Sequence, residues 1–383
     1  MNVPVPLPDE LANGYTERLL RLNGYSGATC KSRAFSESNF RKVLPQLSWI
    51  EKLARFVGQS PEQFRHQHTM LPFNGAVRAK DLIRWSMSSP QRSPFHYSAG
   101  KLNPLGMLAC PQCAKEDTAF WGVSYWRRSH QLTGVVWCAK HEAPLMLCDP
   151  SAASSLPSEA LSRAKPLDRK LVTQAMANVT VRKYAEMCAS FLANSRSLST
   201  HQVVHCLQAR AATLGIRAHS GVRSSHISRV ALQATEGPWQ QMFFPDLARA
   251  REGAFVDSID RTYSSRNVAY KAPAYAMAFA VFYDSAEDAF ADLDASSALL
   301  SPGRPTRDKP ANRRSHSALR KHSVDRITGS SEKVQTRIRM AIEAFVDGAS
   351  IADAASEQRV SEDELREAMR NALRPAFASQ QWS

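Results

Sequence analysis

Long apolar runs are missing from this chain of 383 residues. The longest is APAYAMAFAVFY at 272–283, whereas a helix that spans a bilayer needs about 20 apolar residues. This run therefore predicts a buried helix. The opening residues, MNVPVPLPDEL, lack a basic stretch followed by an apolar one, so we expect no secretory signal peptide.

Acidic side chains are the scarcer charge. The sequence has 35 Asp and Glu against 49 Lys and Arg, which gives a net charge of +14 and a pI near 9.7. A folded protein with such an excess of positive charge commonly binds a polyanion, and nucleic acid is the partner we expect. The sequence has no basic amphipathic helix with an aromatic face, which would indicate binding to a membrane surface.

Catalytic motifs are also missing from the sequence. It has no Gly-rich phosphate-binding loop and no recognisable nucleophile motif, so we expect no enzymatic activity. Its seven cysteines are an odd number and do not resemble the disulfide framework of a small secreted domain. We therefore expect a reduced, cytoplasmic protein.

Four Cys and His residues occur as two short pairs, Cys110/Cys113 and Cys138/His141. Two ligands three positions apart can bind one ion when the chain turns tightly between them. Two such pairs supply the tetrahedral ligands that Zn²⁺ favours, so one structural zinc ion per chain is the predicted cofactor. Four protein ligands leave no open position for water, and the His-x-Glu that zinc deaminases place before Pro-Cys-x-x-Cys is absent. The alternative is a set of reduced core cysteines beside a surface histidine.

The spacer between the two pairs has 24 residues, somewhat more than the roughly 15–20 of common zinc ribbons. Strand-forming residues at Val123, Tyr125 and 135–137, with Gly134 as a turn residue, predict a β-hairpin. The sequence after it, 150–166, is rich in Ser, Ala and Pro and predicts a linker. Cys148 is interpreted as a buried thiol.

The residues before the metal pairs predict a helix-turn-helix. One helix ends near Gly58, and Ser60 begins the next with Gln63 completing a capping box. Arg65 would lie on this second helix. Any helical hairpin gives the same pattern, so reading of DNA by this motif is one of two interpretations.

A second pair of helices is predicted further along the chain. A helix ends at Gly215, a basic turn with Arg217 and Arg223 follows, and another helix runs from about 225 to 236. Four nearby residues could form another metal cluster: Cys188, His201, His205 and Cys206. Their spacing matches no standard knuckle, so histidines on the helical surface are the favoured interpretation.

The last part of the chain changes character. Residues 301–333 are rich in Lys and Arg, including Arg313 and Arg314, and have almost no large apolar side chains. They predict a basic flexible connector that could contact phosphates. The tail predicts helices, with a capping box at Ser361 and Glu364. Because the last helix begins with SEDELRE, protein docking is favoured there over DNA contact.

Together these segments predict a mainly α, multidomain protein in which helix-turn-helix modules flank a small zinc-ribbon-like β module. The predicted regions are an N-terminal helical region, a zinc-binding module, a helical domain, a basic connector and a C-terminal tail, at 1–100, 101–149, 168–297, 298–333 and 334–383. The residues predicted to contact nucleic acid are Arg65, Arg127, Arg128, Arg217, Arg223, Arg313 and Arg314.

Several of these stretches resemble the TniQ/TnsD family of transposon target-selection proteins. The resemblance rests on PLPDEL, CPQCAKED, YWRRSHQLTGVVWCAKH and PLMLC. It covers roughly residues 4–148 and is weaker over 200–290. Many relatives carry a second cysteine knuckle after the position of Cys148, and this sequence does not.

The resemblance implies a non-catalytic adaptor that marks a DNA target and recruits an AAA+ ATPase regulator and a transposase. Some members bind an attachment site directly. Others sit, often as homodimers, on an RNA-guided CRISPR effector complex that supplies the sequence recognition. Two other classes stay open from the sequence: a stand-alone zinc-containing helix-turn-helix regulator of transcription, and a metal-dependent nucleic-acid enzyme.

Overall fold

The computed structural model describes residues 2–25, 49–78, 103, 105–149, 155–215, 226–251, 253–263 and 268–300, with a few positions between 337 and 365. The chain divides into two compact units, Met1–Pro305 and Thr306–Ser383. The first unit is mainly helical with short strands, which confirms the predicted fold class. No described helix is both long and apolar enough to cross a membrane.

The described secondary structure of the first unit alternates groups of helices with very short strands. The helices are α1 (Ala12–Leu22), α2 (Trp49–Phe56), α3 (Pro61–His68), α4 (Leu71–Asn74), α5 (Pro111–Trp121), α6 (Pro157–Ala160), α7 (Arg169–Ala177), α8 (Val179–Ala193), α9 (Thr200–Thr213), α10 (Ile227–Ala234), α11 (Pro238–Phe243), α12 (Pro245–Ala248), α13 (Asp257–Asp260), α14 (Ala272–Phe282) and α15 (Ala286–Leu300). The strands are β1 (Val77–Arg78), β2 (Met107–Ala109), β3 (Trp137–Cys138), β4 (Ala143–Pro144), β5 (Met146–Cys148), β6 (Lys165–Pro166) and β7 (Leu198–Ser199).

The described strands form three small sheets. β1 and β7 pair in parallel, with Val77 opposite Leu198. β2, β5 and β6 form an antiparallel sheet in that order, and β3 and β4 form a separate antiparallel pair. Because each strand has only two or three residues, the sheets hold loops in place more than they form a layer of the fold.

The N-terminal helices pack around a small core of their own. Tyr15 of α1, Leu53 of α2 and Phe64 of α3 are fully buried there. The predicted turn between α2 and α3 is confirmed: the Ser60 hydroxyl accepts a hydrogen bond from the Gln63 amide at 3.1 Å. The left-handed backbone after α2 is taken by Gly58, with φ of 74°, a conformation that glycine adopts without strain.

The main core joins the predicted zinc module to the helices that follow it. Trp239 of α11 donates its indole hydrogen to the Gly134 carbonyl at 2.7 Å, and the Tyr184 hydroxyl of α8 donates to the Thr133 carbonyl at 2.7 Å. The α14 helix is buried along almost its whole length, as its sequence predicts. The two regions therefore pack on each other, while the predicted domain boundaries themselves stay predictions.

Two local predictions were wrong. The spacer does not form the predicted hairpin: Val123 and Tyr125 lie outside the described strands, and β3 pairs with β4, which follows it in sequence. Residues 111–121 form the helix α5, because Pro111 suits the first helical position and good helix formers follow it. Residues 155–166, which the sequence predicts as linker, are ordered by contacts: the Ser155 carbonyl accepts from Trp126, and β6 pairs with β5.

The other predicted elements lie partly within and partly outside the described residues. The second predicted helix pair corresponds to α9 and α10, but the basic turn between them lies outside the described residues. So does nearly all of the predicted connector. In the second unit, the predicted capping box is confirmed, because the Glu364 amide donates to the Ser361 hydroxyl at 3.2 Å and the Ser361 amide donates to the Glu364 carboxylate at 2.8 Å.

A set of polar contacts fastens the N-terminal helices to the metal-binding region. We call it the N-terminal clasp and define it by Asp9, Arg128 and Ser129. The Arg128 guanidinium donates to Asp9 Oδ1 at 3.1 Å, and the Ser129 hydroxyl donates to Asp9 Oδ2 at 2.7 Å. Arg128 also donates to the carbonyls of His66 and Thr69 at the end of α3. These carbonyls have no partner inside the helix, so the guanidinium satisfies them.

We expect the clasp to contribute strongly to stability. Replacing Arg128 with alanine leaves Asp9 Oδ1 and two helix-end carbonyls without their donor. Removing one partner of a buried ion pair costs ~3–5 kcal/mol. Because the Asp9 side chain is 25% exposed, we expect the free energy of unfolding to fall by about 2–4 kcal/mol in urea denaturation.

The matched control is Arg182→Ala, which also removes an ion pair. Arg182 and its partner Glu142 are 52% and 69% exposed, so this change should cost less than about 1 kcal/mol. Equal losses from the two substitutions would contradict a special role for the clasp.

Candidate metal centre

The four predicted ligands come from three short elements. Cys110 precedes the first residue of α5, and Cys113 lies in the first turn of that helix. Cys138 ends β3, and His141 lies in the turn between β3 and β4. The chain therefore turns tightly at both pairs, as two-ligand knuckles require.

The ligand atoms of these residues meet in one place. All four lie within 4.8 Å of one another. His141 Nδ1 is 3.4 Å from Cys110 Sγ, 3.3 Å from Cys113 Sγ and 3.6 Å from Cys138 Sγ. The Cys113 and Cys138 sulfurs are 3.6 Å apart.

These separations suit a tetrahedral zinc ion. Zn–S bonds of about 2.3 Å and a Zn–N bond of about 2.0–2.1 Å place two sulfurs about 3.8 Å apart and a sulfur and a nitrogen about 3.6 Å apart. The observed distances agree to within a few tenths of an ångström. The three thiols are buried, and a Cys₃His donor set is typical of structural zinc.

The thiols interact strongly with one another. Burial raises the pKa of Cys110, and the hydrogen bond between Cys113 and Cys138 raises the pKa of Cys113 while lowering that of Cys138. A zinc ion takes the place of the shared protons, so its binding releases protons. The residues present would thus hold the ion as thiolates with one neutral imidazole.

Two further side chains contact the ligands. Glu116 Oε1 accepts a hydrogen bond from His141 Nε2 at 2.9 Å, which leaves the Nδ1 lone pair facing the sulfurs. His130, which is 6% exposed, places Nε2 3.9 Å from Cys113 Sγ. Outer contacts of this kind orient metal ligands and tune their affinity. The sequence did not predict either role, although Glu116 lies one helical turn after Cys113 and His130 belongs to the stretch YWRRSHQLTGVVWCAKH.

Gln131, the residue after His130, has a different role. Its side-chain amide accepts from the Leu108 amide at 3.1 Å and donates to the Leu108 carbonyl at 2.8 Å. It therefore takes the place of a neighbouring strand beside β2 and holds the residue two positions before Cys110.

The arginines predicted to contact nucleic acid have mixed placements. Arg127 pairs with Asp117 at 2.5 Å and lies over the Tyr125 ring, and Arg128 is only 8% exposed within the clasp. Arg65 lies 3.6 Å from Glu51. Both Arg127 and Arg128 thus have structural partners, and nucleic-acid contact by any of the three stays a prediction. Four others lie outside the described residues: Arg217, Arg223, Arg313 and Arg314.

Within the described part of the chain, no second group of three potential ligands meets in this way. The Cys148 thiol is buried in β5 apart from the cluster, as predicted. Cys206 instead lies 3.2 Å from the Tyr283 hydroxyl.

We expect one zinc ion per chain on the four ligands. Structural zinc contributes an apparent ~10–16 kcal/mol in finger peptides, so Cys138→Ala should remove the metal and unfold the region around 105–148. Elemental analysis of protein purified without chelator, with circular dichroism, measures both effects. Cys148→Ala, a buried thiol outside the cluster, should keep its zinc. Wild-type protein without zinc would contradict the assignment.

We also expect Glu116 to position His141. Glu116→Ala removes the acceptor for Nε2–H and should weaken zinc affinity about 10–100-fold, as measured by chelator competition near pH 8. The control is Glu142→Ala, whose exposed carboxylate is next in sequence to His141 but pairs with Arg182. An unchanged affinity in Glu116→Ala would show that the contact is incidental.

Comparison with known proteins agrees with the resemblance in the sequence. Residues 2–145 match the family model described as TniQ, a range that includes α1–α5, the clasp and all four metal ligands. No curated protein matches the chain. The predicted resemblance is therefore confirmed over this range: residues 2–145 carry a TniQ domain.

Proposed function

We propose that this protein is a non-catalytic target-selection adaptor for DNA transposition. The TniQ domain carries the proposal, because it implies a role in choosing the target of transposition. In this role the chain binds at a chosen DNA site and recruits an AAA+ ATPase and a transposase, which perform strand cleavage and joining. Tethering of this kind raises apparent affinity ~10²–10⁴-fold without an active site.

The zinc cluster supports a scaffolding role. Its four protein ligands fill the tetrahedral positions, so the ion would hold the loop at 110–141 and would not bind substrate. When bound, the ion supplies a fixed cross-link between α5 and the β3–β4 turn. The surfaces that bind partner proteins or DNA would then be held in place by a rigid backbone.

The surface of α3 favours the adaptor over the alternative of a stand-alone transcriptional regulator. Phe64 and His68 of this helix are buried, and its exposed positions include Glu62, Gln63 and Gln67. A recognition helix in the major groove commonly presents its first residues to bases and phosphates. A carboxylate at Glu62 would instead repel phosphate.

Target choice has two proposed routes. In the first, the protein binds an attachment site directly. In the second, it docks as a homodimer on a CRISPR effector complex whose guide RNA reads the target. Both routes require cytoplasmic assembly with other proteins. The second compact unit would supply a protein-docking surface through the acidic start of its helix, at Glu362 and Asp363.

A reconstituted transposition assay tests the proposal. Transposase and ATPase are combined with wild-type protein or with none, in the presence and absence of guide complex, and insertion sites are sequenced. We expect insertion at one target to require the wild-type chain. Unchanged frequency and site choice without it would reject the adaptor and favour the transcriptional regulator.

Variants test in the same assay which parts of the chain targeted insertion requires. Cys138→Ala should abolish targeted insertion, whereas Cys148→Ala should retain it. Reversing the charges of Glu362 and Asp363 should disturb assembly with protein partners more than affinity for nucleic acid. Glu364 is left intact in this test, because its carboxylate caps the helix through Ser361.

A further inference from the structure

A short segment after the TniQ domain carries an unusual concentration of unpaired positive charge. Its residues follow α6 and extend into the first turn of α7. Four of its side chains are basic and exposed, and none makes an ion pair or a side-chain hydrogen bond within the described part of the chain. We call them the basic edge: Arg163, Lys165, Arg169 and Lys170.

Several described cations around the metal-binding region have partners inside the protein instead. Arg127 and Lys140 pair with Asp117 and Glu116 of α5. Arg128 belongs to the clasp. These three cations are therefore balanced inside the protein, whereas the basic edge and Lys115 of α5 face solvent.

The acidic side chains near the basic edge have other hydrogen-bonding or ion-pair partners. Glu159 pairs with Arg21 of α1 at 2.5 Å. Asp168 accepts a hydrogen bond from the Leu171 amide at 2.8 Å and so caps α7. Neither is engaged with the four cations, although both reduce the local net charge.

The backbone beneath the basic edge is fixed. Lys165 lies opposite Leu147 of β5, so this part of the segment is the outer strand of the three-stranded sheet beside the metal cluster. Leu167 and Leu171 are buried in the main core. The four charges are therefore held along one ordered stretch.

We infer that the basic edge binds the phosphate backbone of duplex DNA. Exposed Lys and Arg without acidic partners suit phosphates, and such contacts position a protein on DNA without reading its sequence. Single strands are commonly bound by stacking bases on aromatic rings, and residues 163–170 include no aromatic side chain. The inference deepens the proposed function and rests on it, because an adaptor for transposition works at target DNA.

The test measures binding of zinc-loaded, full-length protein to a short fluorescein-labelled DNA duplex by anisotropy over a range of salt concentrations. The variant R163Q/K165Q/R169Q/K170Q removes the basic edge. A slope of about 0.9 per phosphate makes each contact worth roughly eightfold in affinity at 0.1 M salt relative to 1 M. We expect at least a tenfold loss at 0.1 M salt, and a salt slope shallower by up to about 3.6.

Two further variants separate a local contact from net charge. R182Q/R229Q/R249Q/K271Q removes the same charge from exposed positions elsewhere and should bind nearly as wild type. R163K/K165R/R169K/K170R keeps the charge of the basic edge and should retain binding. Zinc content and circular dichroism establish that each variant is folded.

Several outcomes would overturn the inference. These are equal losses in the two glutamine variants, no effect of the basic-edge variant, tighter binding of single-stranded DNA or RNA than of duplex, or no duplex binding by wild type at low salt. The proposed function is judged separately by the insertion assay. Targeted insertion by the basic-edge variant would leave the adaptor role intact even if the DNA contact fails.

Discussion

Closure of the loop at 110–141 is the constraint on which the described first unit depends. Cys113 and His141 lie 28 residues apart in sequence and meet with sulfur and nitrogen 3.3 Å apart. The chain between them contacts two groups of helices. The region around Arg128 contacts the N-terminal helices, and the carbonyls of Thr133 and Gly134 accept hydrogen bonds from α8 and α11. A metal ion that fixes this loop thus fixes the surface on which both sets of helices pack.

Features that depend on one short stretch of sequence could be predicted from that stretch alone. The ligand pairs, the Ser60 cap and the buried helix α14 all follow from residues within a few positions of one another. The clasp could not be predicted in this way, because Asp9 and Arg128 are 119 positions apart. The predicted hairpin was wrong because β3 takes its partner strand from residues 143–144, beyond the second ligand pair, and not from the stretch around Val123 and Tyr125.

The sequence also does not show which charged side chains are paired in the fold. Net charge indicates an excess of cations but not which of them lack an anion inside the fold. Arg127 and Arg128 look available in the sequence, yet Arg127 pairs with Asp117 of α5, and Arg128 is held by Asp9 and by helix-end carbonyls. Residues 150–166 look like a linker, yet Lys165 belongs to a strand that pairs with β5. The pairing partners in the fold decide these cases.

The separation between the clasp partners also affects how the chain folds as it is made. Asp9 leaves the ribosome 119 residues before Arg128, so at about 5–20 residues per second the N-terminal segment waits roughly 6–24 s for its docking surface. During that interval Leu7 and Leu11, both buried in the finished protein, face solvent. The four metal ligands are complete only when His141 emerges. Nascent chains of this protein therefore expose apolar surface for seconds, the interval in which a chaperone can bind.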